Sequence, residues 1–67
     1  MELANYIKQR RKKEGLDQRQ LALASGVGLR FVRDLEQGKP TVRMDKVNAV
    51  LKLFGKKLGP VDFYDQS

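Results

Sequence analysis

Glycines at Gly15, Gly26, Gly38 and Gly55 cut this chain into short stretches, and the apolar residues between them recur at three- and four-residue spacing. That spacing lines one face of a helix, and a glycine just past a helix end supplies the backbone freedom that stops it. Leu3, Ile7 and Arg11 lie four apart with Tyr6 beside them, which predicts a first helix over about Glu2 to Lys13. Asp17 is placed to cap a second helix, about Gln18 to Ala24, by accepting backbone N–H groups of its first turn. A third helix follows over about Leu29 to Gln37, with Val32 and Leu35 facing inward, and Pro40-Thr41 marks the next link. Met44, Val47, Leu51 and Phe54 share a stripe that predicts a fourth helix over about Arg43 to Phe54. The segment from Lys56 to Ser67 differs in character. Its Leu58, Val61 and Phe63 surround Gly59-Pro60, which suits an edge strand or an extended arm better than a helix.

The expected fold is therefore all-α, a bundle of four and at most five helices in one small domain, because 67 residues bury too small a share of their surface for more. Without cysteine the chain has no disulfide or thiolate metal site, and without histidine it lacks the usual zinc ligand and general base. No metal or other cofactor is expected, and an enzyme is not expected, since Asp, Glu, Lys or Tyr would have to work in a cleft this bundle can hardly enclose. Fourteen Lys and Arg against eight Asp and Glu give a formal charge of +6, which favours a polyanionic partner, either nucleic acid or an anionic membrane surface. No apolar stretch approaches the roughly 18 residues of a membrane span, and the N-terminus lacks a signal-peptide pattern. A soluble, cytoplasmic protein is the expectation.

The spacing from Gln18 to Gln37 narrows the choice. Two helices crossing at about 90–120° over a tight turn need core contacts from Leu21 and Leu35 and a small Ala22 at the close approach. Gly26 can take the positive φ of the turn, and Val27 tucks beneath it. With Val32 inward, Leu29, Arg30, Arg33 and Asp34 are left on the outer face of the third helix. Leu21, Ala22, Gly26, Val27, Val32 and Leu35 build a platform and would look the same in any bundle that packs through this corner.

Through Leu16-Asp17-Gln18, Leu21-Ala22, Gly26-Val27 and Leu35-Glu36-Gln37-Gly38-Lys39, the chain resembles the lambda-repressor/Cro-like helix-turn-helix regulators over roughly Ile7 to Gly55. The resemblance implies a DNA-binding domain over Met1 to Gly55 and a tail over Lys56 to Ser67 that serves as a dimerisation strand. It also implies that the third helix enters the major groove, making Leu29, Arg30, Arg33 and Asp34 the candidates for base contact. Arg30 can donate two parallel hydrogen bonds to guanine, Leu29 can pack on a thymine methyl, and Arg33 can reach base or phosphate. Asp34 either accepts from a cytosine amino group or orients Arg30 or Arg33 by an intrahelical pair, and the second role is favoured. Gln18, Gln37, Lys39 and Arg43 match phosphate-holding positions. Arg11 and Glu36 match a buried ion pair between the first helix and the reading helix, while Arg10, Lys12 and Lys13 read as a solvated face.

Two positions depart from the family pattern. Gly28 stands where Ser or Thr usually caps the third helix, and Phe31 stands at a usually polar position, either filling space between helices or lying against the DNA backbone. Gly26-Val27-Gly28, Arg30-Phe31, Leu35-Glu36, Gly38 to Arg43 and Leu53-Phe54-Gly55 resemble a subgroup of HipB-like antitoxin regulators paired with HipA-like kinase toxins. The expected function is a transcriptional repressor that reads an inverted repeat as a homodimer joined through Phe54, Leu58, Val61 and Phe63. Three readings of its role stay open: an autoregulating antitoxin with a kinase-toxin partner, a stand-alone or phage-type repressor, and a nonspecific nucleic-acid or membrane-surface binder. The last accounts for none of the helix-turn-helix spacing.

Overall fold

The computed structural model describes residues 2–62, so the expectation for Phe63 lies outside the described residues. Four helices follow one another: α1 (Glu2–Lys13), α2 (Gln18–Ser25), α3 (Leu29–Glu36) and α4 (Met44–Leu53). No strand occurs among the described residues, and 56–62 run without regular structure beyond α4. Four of the eight helix ends fall where the sequence places them and the other four differ by one residue, as frayed first and last turns do. Arg43 and Phe54, expected inside α4, are its caps.

Both ends of α2 have local causes. At α2 the Asp17 carboxylate accepts the Gln20 N–H at 2.7 Å while the Asp17 N–H donates to Gln20 Oε1 at 2.8 Å, so two donors without helical partners are satisfied reciprocally. Gly26 closes α2 at φ +76°, its N–H donating to Ala22 O at 2.9 Å, and Val27 N–H follows to the same carbonyl at 3.1 Å. That left-handed residue turns the chain straight into α3. A Cβ added at Gly26 would meet nothing within 4 Å, so Gly26→Ala carries a purely conformational cost. It is expected to lower unfolding free energy by about 1–2 kcal/mol in a urea titration, whereas Gly28→Ser, at φ −75°, should not destabilise.

The core gathers one face from every helix. Ile7 of α1, Leu21 of α2, Val32 and Leu35 of α3 and Val47 and Val50 of α4 are all essentially removed from solvent, with Ala4, Ala22, Leu51 and Phe54 filling the spaces between. Full burial of side chains of this size is worth roughly 1.5–3 kcal/mol each before chain entropy is opposed to it. The α4 stripe differs from expectation at two positions. Met44 is 71 % exposed, and Val50, not named from the sequence, is fully buried. Met44 is the first residue of α4 and projects a full turn ahead of Val47, beyond the place where the helix meets the core.

The segment after α4 is held at Lys56, whose N–H donates to the Leu51 carbonyl at 3.0 Å, and again at Leu58. Leu58 donates its N–H to Asn48 Oδ1 at 2.7 Å and lays its side chain on the core, whereas Val61 is 85 % exposed.

Candidate nucleic-acid interface

α3 is only eight residues long, and its attachment explains what it can present. Val32, Leu35 and Glu36 face inward and are buried, while Leu29 and Phe31 pack half-buried against the core. Arg30 and Arg33 are left in solvent. The Arg30 side chain is 89 % exposed, so its guanidinium donors are unspent on the protein apart from a loose contact with Asp34.

Asp34 is the one acidic side chain on this outer face. Its Oδ1 lies 3.8 Å from Arg30 Nε and its Oδ2 3.5 Å from Lys39 Nζ. Arg33, the other orienting partner considered from the sequence, forms no ion pair with it among the described residues.

The inward end of α3 is tied to two other helices. Arg11 Nε and Nη2 donate to Glu36 Oε2 and Oε1 at 2.6 and 3.0 Å, a two-pronged contact that joins α1 to α3. Arg11 Nη1 also donates to the Leu16 carbonyl at 2.9 Å. Gln18 Nε2 adds a third donor to the Glu36 carboxylate at 3.2 Å. Burial pushes the Glu36 carboxyl up, but the hydrogen bonds from Arg11 and Gln18 outweigh it and hold its pKa below the ordinary value. The Arg11 guanidinium is raised in turn, chiefly by the same hydrogen bond.

The phosphate-holding candidates fall into two groups. Gln37 caps α3 and is exposed, as are Lys39 and Arg43 in the following link. Arg43 is already engaged, donating to both Asp45 oxygens at 3.1 and 2.7 Å, and holds the Asp45 carboxyl below its ordinary range. Gln18 is half-buried with its amide on Glu36, which leaves the backbone N–H groups at the start of α2 as the donors it can offer outward.

Two cations behave differently from the sequence reading. Arg10 was expected on a solvated face with Lys12 and Lys13, which are exposed. Arg10 instead lies half-buried over the Phe54 ring at 5.1 Å and pairs with Glu14 at 3.2 Å. Lys46, not singled out from the sequence, sits 5.9 Å above the Phe31 ring. Of the two roles open for Phe31, the structure shows it packed on the core and carrying this lysine. The only signal in the sequence was an aromatic residue at a position that is usually polar.

A short α2, a left-handed glycine and an α3 that buries one face while offering cations on the other define a helix-turn-helix unit. A family model described as helix-turn-helix matches residues 7–61, and the chain belongs to that family. The chain is 53 % identical over 45 residues to the uncharacterized HTH-type transcriptional regulator y4mF of Sinorhizobium fredii, the match covering 67 % of this chain and 59 % of that protein. The chain therefore spans less than two thirds of that relative's length. No helix among the described residues is long and apolar enough to cross a membrane, and no cluster of potential metal ligands occurs there.

If Lys39 holds a phosphate, Lys39→Ala should flatten the dependence of log affinity on log salt by about one unit on every DNA sequence. An unchanged slope in fluorescence anisotropy titrations rejects that role.

Proposed function

We propose that this chain is a sequence-specific regulator of transcription that binds double-stranded DNA with α3 in the major groove and acts as a repressor. The observation that carries this reading is the mounting of α3: Val32, Leu35 and Glu36 are buried while Arg30 stands almost wholly in solvent. Membership of the helix-turn-helix family and similarity to an HTH-type transcriptional regulator of Sinorhizobium fredii support the same reading. In it, Arg30, Leu29 and Arg33 reach base edges, Asp34 orients Arg30, and Gln37, Lys39, Arg43 and the start of α2 at Gln18 hold phosphates. Phosphate contacts fix register, and base contacts select sequence. The working location is the cytoplasm.

A single α3 offers few base contacts, so the functional unit is a homodimer on an inverted repeat. Val61, exposed beyond the anchored Leu58, supports a protein contact through the tail, whereas Phe54, expected at the same contact, is buried in the core of its own chain under Arg10. Val61→Asp should then shift sedimentation from dimer toward monomer; a retained dimer removes the tail from the interface. The finer reading is the autoregulating antitoxin of a kinase-toxin pair, resting on the resemblance of Gly26-Val27-Gly28 and Gly38 to Arg43 to that subgroup, with a stand-alone repressor as the alternative. An adjacent kinase-like reading frame and its product in a pulldown from the native host favour the first, and their absence favours the second.

The direct test is unbiased selection of duplexes bound by the whole chain. The expected outcome is an inverted repeat with half-sites about one helical turn, or a multiple of it, apart. Enrichment of no sequence above the input pool contradicts specific readout.

A further inference from the structure

The outer face of α3 meets a polyanion, yet one carboxylate stands on it between two cations of the proposed interface. Asp34 Oδ1 is 3.8 Å from Arg30 Nε and Oδ2 is 3.5 Å from Lys39 Nζ, with the Asp34 side chain only 25 % exposed. Both separations are ion-pair distances too long for hydrogen bonds, so neither cation is locked. Asp34 thus links the residue proposed to read a base with the residue proposed to hold a phosphate.

We infer that Asp34 is a specificity-determining residue that weakens binding to DNA of any sequence and weakens it least on the cognate site. This inference rests on the reading of α3 proposed above. On noncognate DNA no base edge receives the Arg30 fork, and the flexible side chain gains most by turning to a phosphate. That movement leaves the Asp34 carboxylate facing the DNA backbone with less compensation, an electrostatic cost present on every such site. On the cognate site Arg30 reaches forward to a base from its place one turn before Asp34, and the pair persists. The carboxylate therefore taxes the wrong complex more than the right one, which is how discrimination is gained without a further base contact.

The test compares the wild type with Asp34→Asn, Asp34→Ser and Asp34→Glu on a random-sequence duplex and on the duplex enriched by selection. The Asp34 carboxylate accepts no hydrogen bond among the described residues, so removing its charge leaves the core untouched; circular dichroism checks this. Both neutral variants should bind random DNA more tightly and steepen the salt slope by about one unit, equivalent to about a threefold larger loss of affinity across a fourfold rise in salt. They should gain less on the selected duplex, so the ratio of the two affinities falls. Asp34→Glu should retain most of the discrimination. Unchanged random-sequence affinity and slope in the neutral variants overturn the proposal. So does a loss confined to one C·G pair, which would make Asp34 a direct acceptor for cytosine. Arg30→Ala in the wild-type background separates the two levels: an equal loss on both duplexes ends the α3 reading itself, while a selective loss beside an unresponsive Asp34→Asn ends only this inference.

Discussion

Glu36→Ala is expected to remove about 3–5 kcal/mol of unfolding free energy, the usual cost of stranding one member of a buried ion pair. At about 0.05–0.15 kcal/mol per residue, 67 residues give a total stability of roughly 3–10 kcal/mol, so the variant should lose from about a third to all of its stability. The magnitude follows from where the charges sit. The Glu36 side chain is 1 % exposed and that of Arg11 11 %, and three donors converge on the carboxylate. Without Glu36, Arg11 keeps its charge in a place water scarcely reaches. Replacing both partners together, as in Arg11→Met with Glu36→Leu, should recover much of the loss, because an apolar pair strands no charge. Urea titration of the three proteins checks this, and a double variant no more stable than Glu36→Ala would contradict the explanation. The same pair sets a pH dependence. Since the folded-state pKa of Glu36 is lowered, its contribution is present above the unfolded glutamate value of about 4.3 and is lost as pH falls through the lower folded value. An acid titration should therefore show wild-type stability falling below that range, with a smaller fall in the double variant.

The helix-turn-helix unit was legible because its signals are local. Asp17, Gly26 and the spacing of Leu21, Val32 and Leu35 act within one turn or between adjacent turns, and the structure forms α2 and α3 where they direct. What was harder to read depends on where helices meet. Met44 and Val50 both lie at helical spacing from Val47, and only the position of the core along α4 decides that the first is exposed and the second buried. Ala4 is buried for a similar reason, a small side chain where α1 comes close to its neighbours. The occupations of Arg10 by Phe54, of Lys46 by Phe31 and of Gln18 by Glu36 join residues distant in sequence, and no periodicity announces them. Net charge points to a polyanion but not to which cations have an acid beside them, as Arg30 and Lys39 have Asp34 and Arg43 has Asp45.

In the proposed function α3 reads base edges through Arg30. An arginine that donates both its parallel N–H groups to guanine O6 and N7 discriminates one base pair from the others, whereas an arginine on a phosphate strengthens binding to all sequences alike. The Arg30 side chain is suited to the first role by being 89 % exposed on a helix whose opposite face is buried, and its removal disturbs no core contact. The decisive measurement is the affinity of Arg30→Ala for the selected duplex and for random DNA at one salt concentration. The expected result is a loss of about 1–3 kcal/mol on the selected site, roughly 5- to 150-fold, with relaxed preference at one base pair and a smaller loss on random DNA. An equal loss on both duplexes would contradict the account.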